Sequence, residues 1–172
     1  MLGRSKNIVL IGYRGTGKSS VGQYIAENLD KKYISTDEII VDRVGSINEY
    51  VEKKGWDKFR DVEKKIIKNI DTAQAVIDCG GGVIETAENY KPLKRLGPIF
   101  WLKASIDTII NRIKDSTNRP ALSDKDFLSE IPTIHEKRVP LYRQFADYEI
   151  QTDNLTIQEV GEKIINLYRK SA

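Results

Sequence analysis

A chain of 172 residues, 40% hydrophobic and 31% charged, carries enough apolar material for one compact domain and is too polar for an integral membrane protein. The net charge of +3 is spread along the chain, which gives no support to nucleic-acid binding and is compatible with small anionic ligands. A single cysteine, Cys79, excludes an internal disulfide, and no apolar run approaches a membrane span, so a cytoplasmic protein without membrane association is expected.

Met1 to Lys6 lead straight into the first predicted strand, residues 8–11, and leave no room for a signal peptide. The β-branched run Ile8-Val9-Leu10-Ile11 enters Gly12-Tyr13-Arg14-Gly15-Thr16-Gly17-Lys18-Ser19 and then a helix over 18–28, with Val21, Ile25 and Leu29 on one face. Strand, G-x-x-x-x-G-K-[ST] turn and helix together form a P-loop, the cradle of a nucleoside triphosphate. The turn points successive N–H groups at phosphate oxygens, and the helix dipole adds to the field. Gly12, Arg14, Gly15, Thr16, Gly17, Lys18, Ser19 and Ser20 are therefore the candidate ATP-binding residues. Lys18 would reach the β/γ-phosphates, and the Ser19 hydroxyl would ligate Mg²⁺.

A second strand, 32–35, ends at Thr36-Asp37. Helices follow over 38–44, broken at Gly45, and from a Ser46/Glu49 capping box toward Lys53. After Gly55 a helix over 56–69 shows Phe59, Val62, Ile66 and Ile70 on one face. The third strand, 75–79, runs into Gly80-Gly81-Gly82. Thr86 is expected to cap a helix to Leu96, and Gly97-Pro98 to precede a strand over 99–102. Ser105 caps a helix over 106–113. The polar stretch 114–127, containing Asn118-Arg119-Pro120, has no clear period and reads as a lid. A helix over 131–138 is expected to kink or end at Pro140. A fifth strand, 148–152, precedes a Thr156/Glu159 capping box and a last helix with Ile157, Val160, Ile164 and Leu167 inward. Strands alternating with helices predict a doubly wound α/β fold, a five-stranded parallel sheet covered on both faces, in a single domain spanning 1–172. Ligands are expected beyond the carboxyl ends of its strands.

That rule selects the remaining candidates. Asp37 is either an acid favoured by a helix N-terminus or a carboxylate that orients an acceptor hydroxyl. Asp78 ends an apolar run in the manner of a Walker B acid and is a candidate metal residue beside Ser19. Three successive glycines would let a ligand approach the backbone, or form a merely flexible loop. Arg60 and Arg138 are either solvated helix residues or forks for a small carboxylate, and Arg119 could act on the phosphates as an arginine finger. His135 reads as a surface residue, Cys79 as a buried one, and Trp56 and Trp101 as core.

Taken in order along the chain, Gly12 to Ser19, Phe59-Arg60, Gly80-Gly81-Gly82, Asn118-Arg119-Pro120 and Lys137-Arg138-Val139-Pro140-Leu141-Tyr142 resemble the shikimate kinase family. The resemblance implies ATP-dependent phosphorylation of the shikimate 3-hydroxyl, in the pathway to chorismate and the aromatic amino acids. It also implies Mg²⁺ as cofactor, a monomer, strand order 2-3-1-4-5, a substrate-binding helical region over about 37–70 and a lid. By position it implies that Lys18, Asp37 and Arg119 are catalytic and that Arg112 packs against adenine. Asp37, Arg60, Arg138 and Gly80 to Gly82 would bind the acceptor. One departure stands out. The family usually has Asp-Thr-Asp after the second strand, where this chain has Ser35-Thr36-Asp37. Asp78 is the expected replacement, since a cation that keeps several waters accepts an acid from either side of the loop. The motifs leave two alternatives: a kinase of another small metabolite such as a sugar acid, or a non-catalytic nucleotide-binding relative.

Overall fold

The computed structural model describes residues 7–115 and 126–171. Its strands are β1 (Ile8–Ile11), β2 (Lys32–Ser35), β3 (Ala75–Asp78), β4 (Ile99–Lys103) and β5 (Tyr148–Gln151). Its helices are α1 (Lys18–Asn28), α2 (Thr36–Val44), α3 (Ile47–Lys54), α4 (Trp56–Asn69), α5 (Tyr90–Leu96), α6 (Ile106–Asp115), α7 (Asp126–Phe145) and α8 (Ile157–Ser171). All strands run parallel in the order β2-β3-β1-β4-β5, as predicted.

The apolar strands need cover on both faces, and alternation supplies it. Val9, Ile11, Ile77, Ile99 and Trp101 point to one side, where Leu93, Ile109, Tyr142 and Phe145 pack on them. Ile8, Leu10, Val76, Phe100 and Leu102 point to the other, against Val21 and Ile25 of α1 and Val160 and Ile164 of α8. Ile8 to Ile11 are wholly buried, and each such side chain contributes about 1.5–3 kcal/mol of transfer free energy. A third cluster, Ile40, Phe59 and Ile66, gives α2 and α4 a small core of their own beside the sheet.

Several boundaries follow from local chemistry. The Ser46 hydroxyl accepts from the Glu49 N–H, and the Ser105 hydroxyl from that of Thr108. Thr156 and Glu159 cap each other reciprocally. Elsewhere packing overrules the local signal. α7 continues through Pro132 and Pro140, where the sequence predicts a helix of only 131–138. Ile131, Tyr142 and Phe145 anchor both its ends in the core, which outweighs the backbone hydrogen bonds the prolines remove. The predicted helix from Thr86 to Leu96 starts as a single 3-10 turn, Ala87–Asn89, and continues as α5 to Leu96, but Thr86 makes no side-chain cap and a separate 3-10 turn, Val83–Glu85, precedes it. Trp56 is 54% exposed and not in the core, because it opens α4 on the outer side of the small cluster.

Candidate active site

The P-loop turns because β4 lies close beneath it: a β-carbon on Gly12 would stand 2.5 Å from the Leu102 carbonyl oxygen. Thr16 is buried, and its N–H and hydroxyl both bind the Tyr13 carbonyl (3.3 and 2.8 Å), so this residue closes the loop on itself. Gly15 and Gly17 have φ of +83° and +91°, in the left-handed region. α1 begins at Gly17 with no side-chain cap and no acid in its first turn, which keeps the positive end of the helix suited to an anion. Lys18 lies back across the loop, donating to the carbonyls of Gly12 (2.8 Å) and Tyr13 (3.1 Å). Ser19 and Ser20 are exposed in the first turn, and half-buried Arg14 sits at the loop's tip. Arg112 of α6 donates to the Gly15 carbonyl (3.2 Å) and to Thr152 (3.3 Å), tying the loop to the chain after β5.

Asp78 ends β3 on the α1 side of the sheet, since it follows Val76 by two residues. Its Oδ2 accepts from the Ser19 hydroxyl (2.8 Å) and from the Tyr33 hydroxyl (2.6 Å). Register pairs Asp78 directly with Ser35 on β2, so the acid at 78 and the missing acid at 35 are neighbours across one strand spacing. Tyr33 escapes the sequence reading, for only the register reveals that it shares a face with Asp78. Burial and the Asp78 carboxylate hold its phenol protonated, far above the ordinary range. The Ser19 hydroxyl and the Asp78 carboxylate are hard oxygen donors suited to a divalent cation that keeps waters and phosphate oxygens as its other ligands, with Tyr33 orienting the carboxylate. Among the described residues no group of three or more His, Cys, Asp or Glu side chains is placed to hold a metal ion.

The three glycines face the other side of the crevice, where protein atoms already fill the space beside two of them. A β-carbon on Gly80 would lie 2.7 Å from Asp37 Oδ1 and 3.4 Å from Glu63 Oε2. One on Gly82 would fall onto the Arg60 guanidinium. Gly81 packs against the Arg14 backbone and Arg138 Nη1, at 3.4 and 3.6 Å from its missing β-carbon. Gly80 and Gly82 thus admit the side chains of Asp37 and Arg60, whereas the sequence suggests that they admit a ligand.

The Lys-Arg-x-Pro-Leu-Tyr run also acquires a geometry. Residues 138 and 142 lie one turn apart on α7. Tyr142 stacks on Trp101 and its hydroxyl donates to the Gly81 carbonyl, while Arg138 lies over the Tyr13 ring at 5.4 Å. Arg60 lies over Phe59 and Trp56 at 5.2 and 5.4 Å. Glu85 brings the two arginines together: Oε2 accepts from Arg60 Nη2 (2.7 Å) and Arg138 Nη2 (3.3 Å), and Oε1 from Arg138 Nε (3.4 Å). Glu63, one turn after Arg60, takes its Nη1 at 2.9 Å. Burial raises the Glu63 carboxyl against the pull of Arg60, with Asp37 adding to the rise. Burial works against the Arg138 charge, but the neighbouring Tyr142 and Glu85 outweigh it and its pKa is raised. Glu63 was within reach of a helical-spacing argument; Glu85, on a 3-10 turn, was not. Arg119, and most of the stretch read as a lid, lie outside the described residues.

A family model described as shikimate kinase matches residues 14–169 of the chain. The chain belongs to the shikimate kinase family. A shikimate kinase of Thermodesulfovibrio yellowstonii is 45% identical over 167 residues, covering 96% of each chain. One of Caldicellulosiruptor bescii is 41% identical over 165 residues, covering 95% of each. The structure of shikimate kinase from Acinetobacter baumannii in complex with shikimate superposes with a TM-score of 0.89 at 30% identity, covering 96% of this chain and 94% of that one. A gluconokinase structure from Sinorhizobium meliloti, 16% identical with a TM-score of 0.58, shares the fold alone. As a member of the shikimate kinase family, the chain is a phosphotransferase acting on an alcohol group.

Proposed function

We propose that this crevice transfers the γ-phosphoryl group of ATP to the 3-hydroxyl of shikimate, with the acceptor's carboxylate held by Arg60 and Arg138. The supporting observation is the convergence of two arginines, from α4 and α7, on the Glu85 carboxylate, with Asp37 set against Gly80 of the same loop. A guanidinium pair recognises a planar carboxylate and fixes the ring that carries it. Asp37, set against Gly80, then orients the attacking hydroxyl and accepts its proton. Lys18 leaves the loop carbonyls for the β/γ-phosphates, and the N–H groups of α1 take the remaining charge. Arg112 holds the adenine side of the loop, and Arg119 belongs to a lid over about 114–127 that excludes water from the phosphoryl group. The helical region of about 37–70 carries the acceptor.

Ser19 and Asp78 hold Mg²⁺, with Asp78 acting in place of the acid absent at 35. When bound, the cation would offset negative charge on the triphosphate during transfer. We assign the enzyme to the cytoplasm as a monomer; among the described residues the exposed large hydrophobics are Val41, Trp56, Tyr90 and Ile157, each on a different helix.

The test is a coupled assay of ADP release with and without shikimate, repeated on Arg60→Ala. Wild type should release ADP only with the acceptor. The variant should raise the shikimate KM by about 30-fold or more, with the ATP KM little changed, as expected for truncating one partner of a hydrogen-bonded ion pair. No acceptor-dependent release would overturn the activity, and an unchanged shikimate KM would overturn the arginine assignment.

A further inference from the structure

Arg60 and Arg138 carry two positive charges, and two protein carboxylates already answer them. Glu63 is the fixed partner: its side chain is 1% exposed on α4 and it binds the outer Nη1 of Arg60. Glu85 is placed differently. Its side chain is 40% exposed, and its carboxylate lies between the guanidiniums, touching Nη2 of both and the Nε of Arg138. The turn beneath it is anchored by buried Val83 and Ile84, so the carboxylate can leave by side-chain rotation alone.

We infer that Glu85 is a specificity-determining residue that occupies the carboxylate site of the arginine pair and is exchanged for the acceptor's carboxylate. This rests on the assignment of Arg60 and Arg138 above. Charge counting requires the exchange. With Glu63 and Glu85 in place the four side chains sum to zero, and an arriving carboxylate would make three acids on two guanidiniums, with Asp37 nearby. The forks matter as much as the charge. Glu85 uses the Nε–Nη2 edge of Arg138, the edge that binds a carboxylate with two parallel hydrogen bonds. The bonds to Arg138 are long, at 3.3 and 3.4 Å, and the Glu85 carboxylate is open to water, so release breaks one short bond, that from Arg60 Nη2 at 2.7 Å, which the incoming carboxylate replaces. While it stays, Glu85 keeps both arginines aimed at the same point and shields them from other small anions. An acceptor without a carboxylate has nothing to restore the ion pairs it breaks.

A positioning role without exchange predicts the opposite sign for Glu85→Gln, which keeps the side chain's shape and removes its charge. On exchange, E85Q lowers the shikimate KM about three- to tenfold, the size of one or two exposed ion pairs, and the dissociation constant for shikimate measured by calorimetry falls with it. Benzoate, a simple carboxylate, becomes a stronger competitor of shikimate in E85Q than in wild type. An unchanged or raised KM and dissociation constant overturn the inference. If wild type binds no shikimate, or Arg60→Ala leaves its KM unmoved, the arginine assignment falls instead. That result is distinct from an Arg60-dependent KM that E85Q does not alter.

Discussion

At the scale of single residues, the decisive substitution is the pair Ser35 and Asp78. The two positions face each other across β2 and β3, so a carboxylate moved from one to the other stays within a strand spacing of the Ser19 hydroxyl. Tyr33 then becomes necessary, since an acid at a strand end needs partners, and its hydroxyl fixes the one oxygen that Ser19 also uses. Asp78→Asn should therefore lower kcat and raise the divalent-metal requirement, each by about 10–100-fold, in a metal titration of ADP release. Tyr33→Phe should do the same more weakly, and equal metal curves for Asp78→Asn and wild type would refute the replacement. His135 supplies a separate test. It is half-buried against the edge of Tyr13, where the sequence suggests a surface residue, and burial lowers its pKa below 6.5. The unfolded chain thus takes up the proton first, so this histidine's stability is present above about pH 6.5 and lost as pH falls through the folded value. Thermal melts of His135→Phe from about pH 7 to pH 5 should show a flatter decline than wild type.

Among the elements, the loop after β3 has the sharpest consequences. Gly80 gives its space to Asp37 and Gly82 gives its space to Arg60, so the two glycines govern different steps. Gly80→Ala should lower kcat by displacing the hydroxyl-orienting acid, and Gly82→Ala should raise the shikimate KM by displacing the carboxylate clamp. Displacements of about 1 Å are worth on the order of 100-fold in such sites, and steady-state kinetics on the two variants separates the effects. This loop also marks where the sequence became hard to read. The P-loop turn, the Ser46 N-cap and the Thr156 capping box depend on neighbours close in sequence, and these were legible, as was the alternation of β and α from its periodicity. The passage of α7 through Pro140 was not, because it depends on Tyr142 meeting Trp101 and Gly81, far away in the chain. Tyr33 and Glu85 were missed for the same reason: the first needed the sheet register, the second the joint position of two distant helices.

Across the whole molecule, Arg60 and Arg138 adjoin separate hydrophobic cores. Phe59, the neighbour of Arg60 on α4, belongs to the small cluster of α2 and α4, whereas Tyr142 and Tyr13 belong to the main sheet core. An acceptor bridging Arg60 and Arg138 therefore ties the helical unit to the sheet. Shikimate at about 100 times its dissociation constant should stabilise the fold by about 2.7 kcal/mol, read as a rise in Tm. The Arg60→Ala variant should lose most of that rise at the same concentration. A full rise in that variant would mean that the acceptor binds elsewhere.

The chain has only two tryptophans, and they lie on opposite sides of this junction. Trp101 is 2% exposed and stacked under Tyr142, while Trp56 is 54% exposed with the Arg60 guanidinium over its ring. Intrinsic fluorescence therefore contains a solvent-facing emitter beside Arg60 and a shielded one in the core. In a Trp101→Phe background, the remaining emission becomes a direct optical report of Arg60 changing partners, without any attached label.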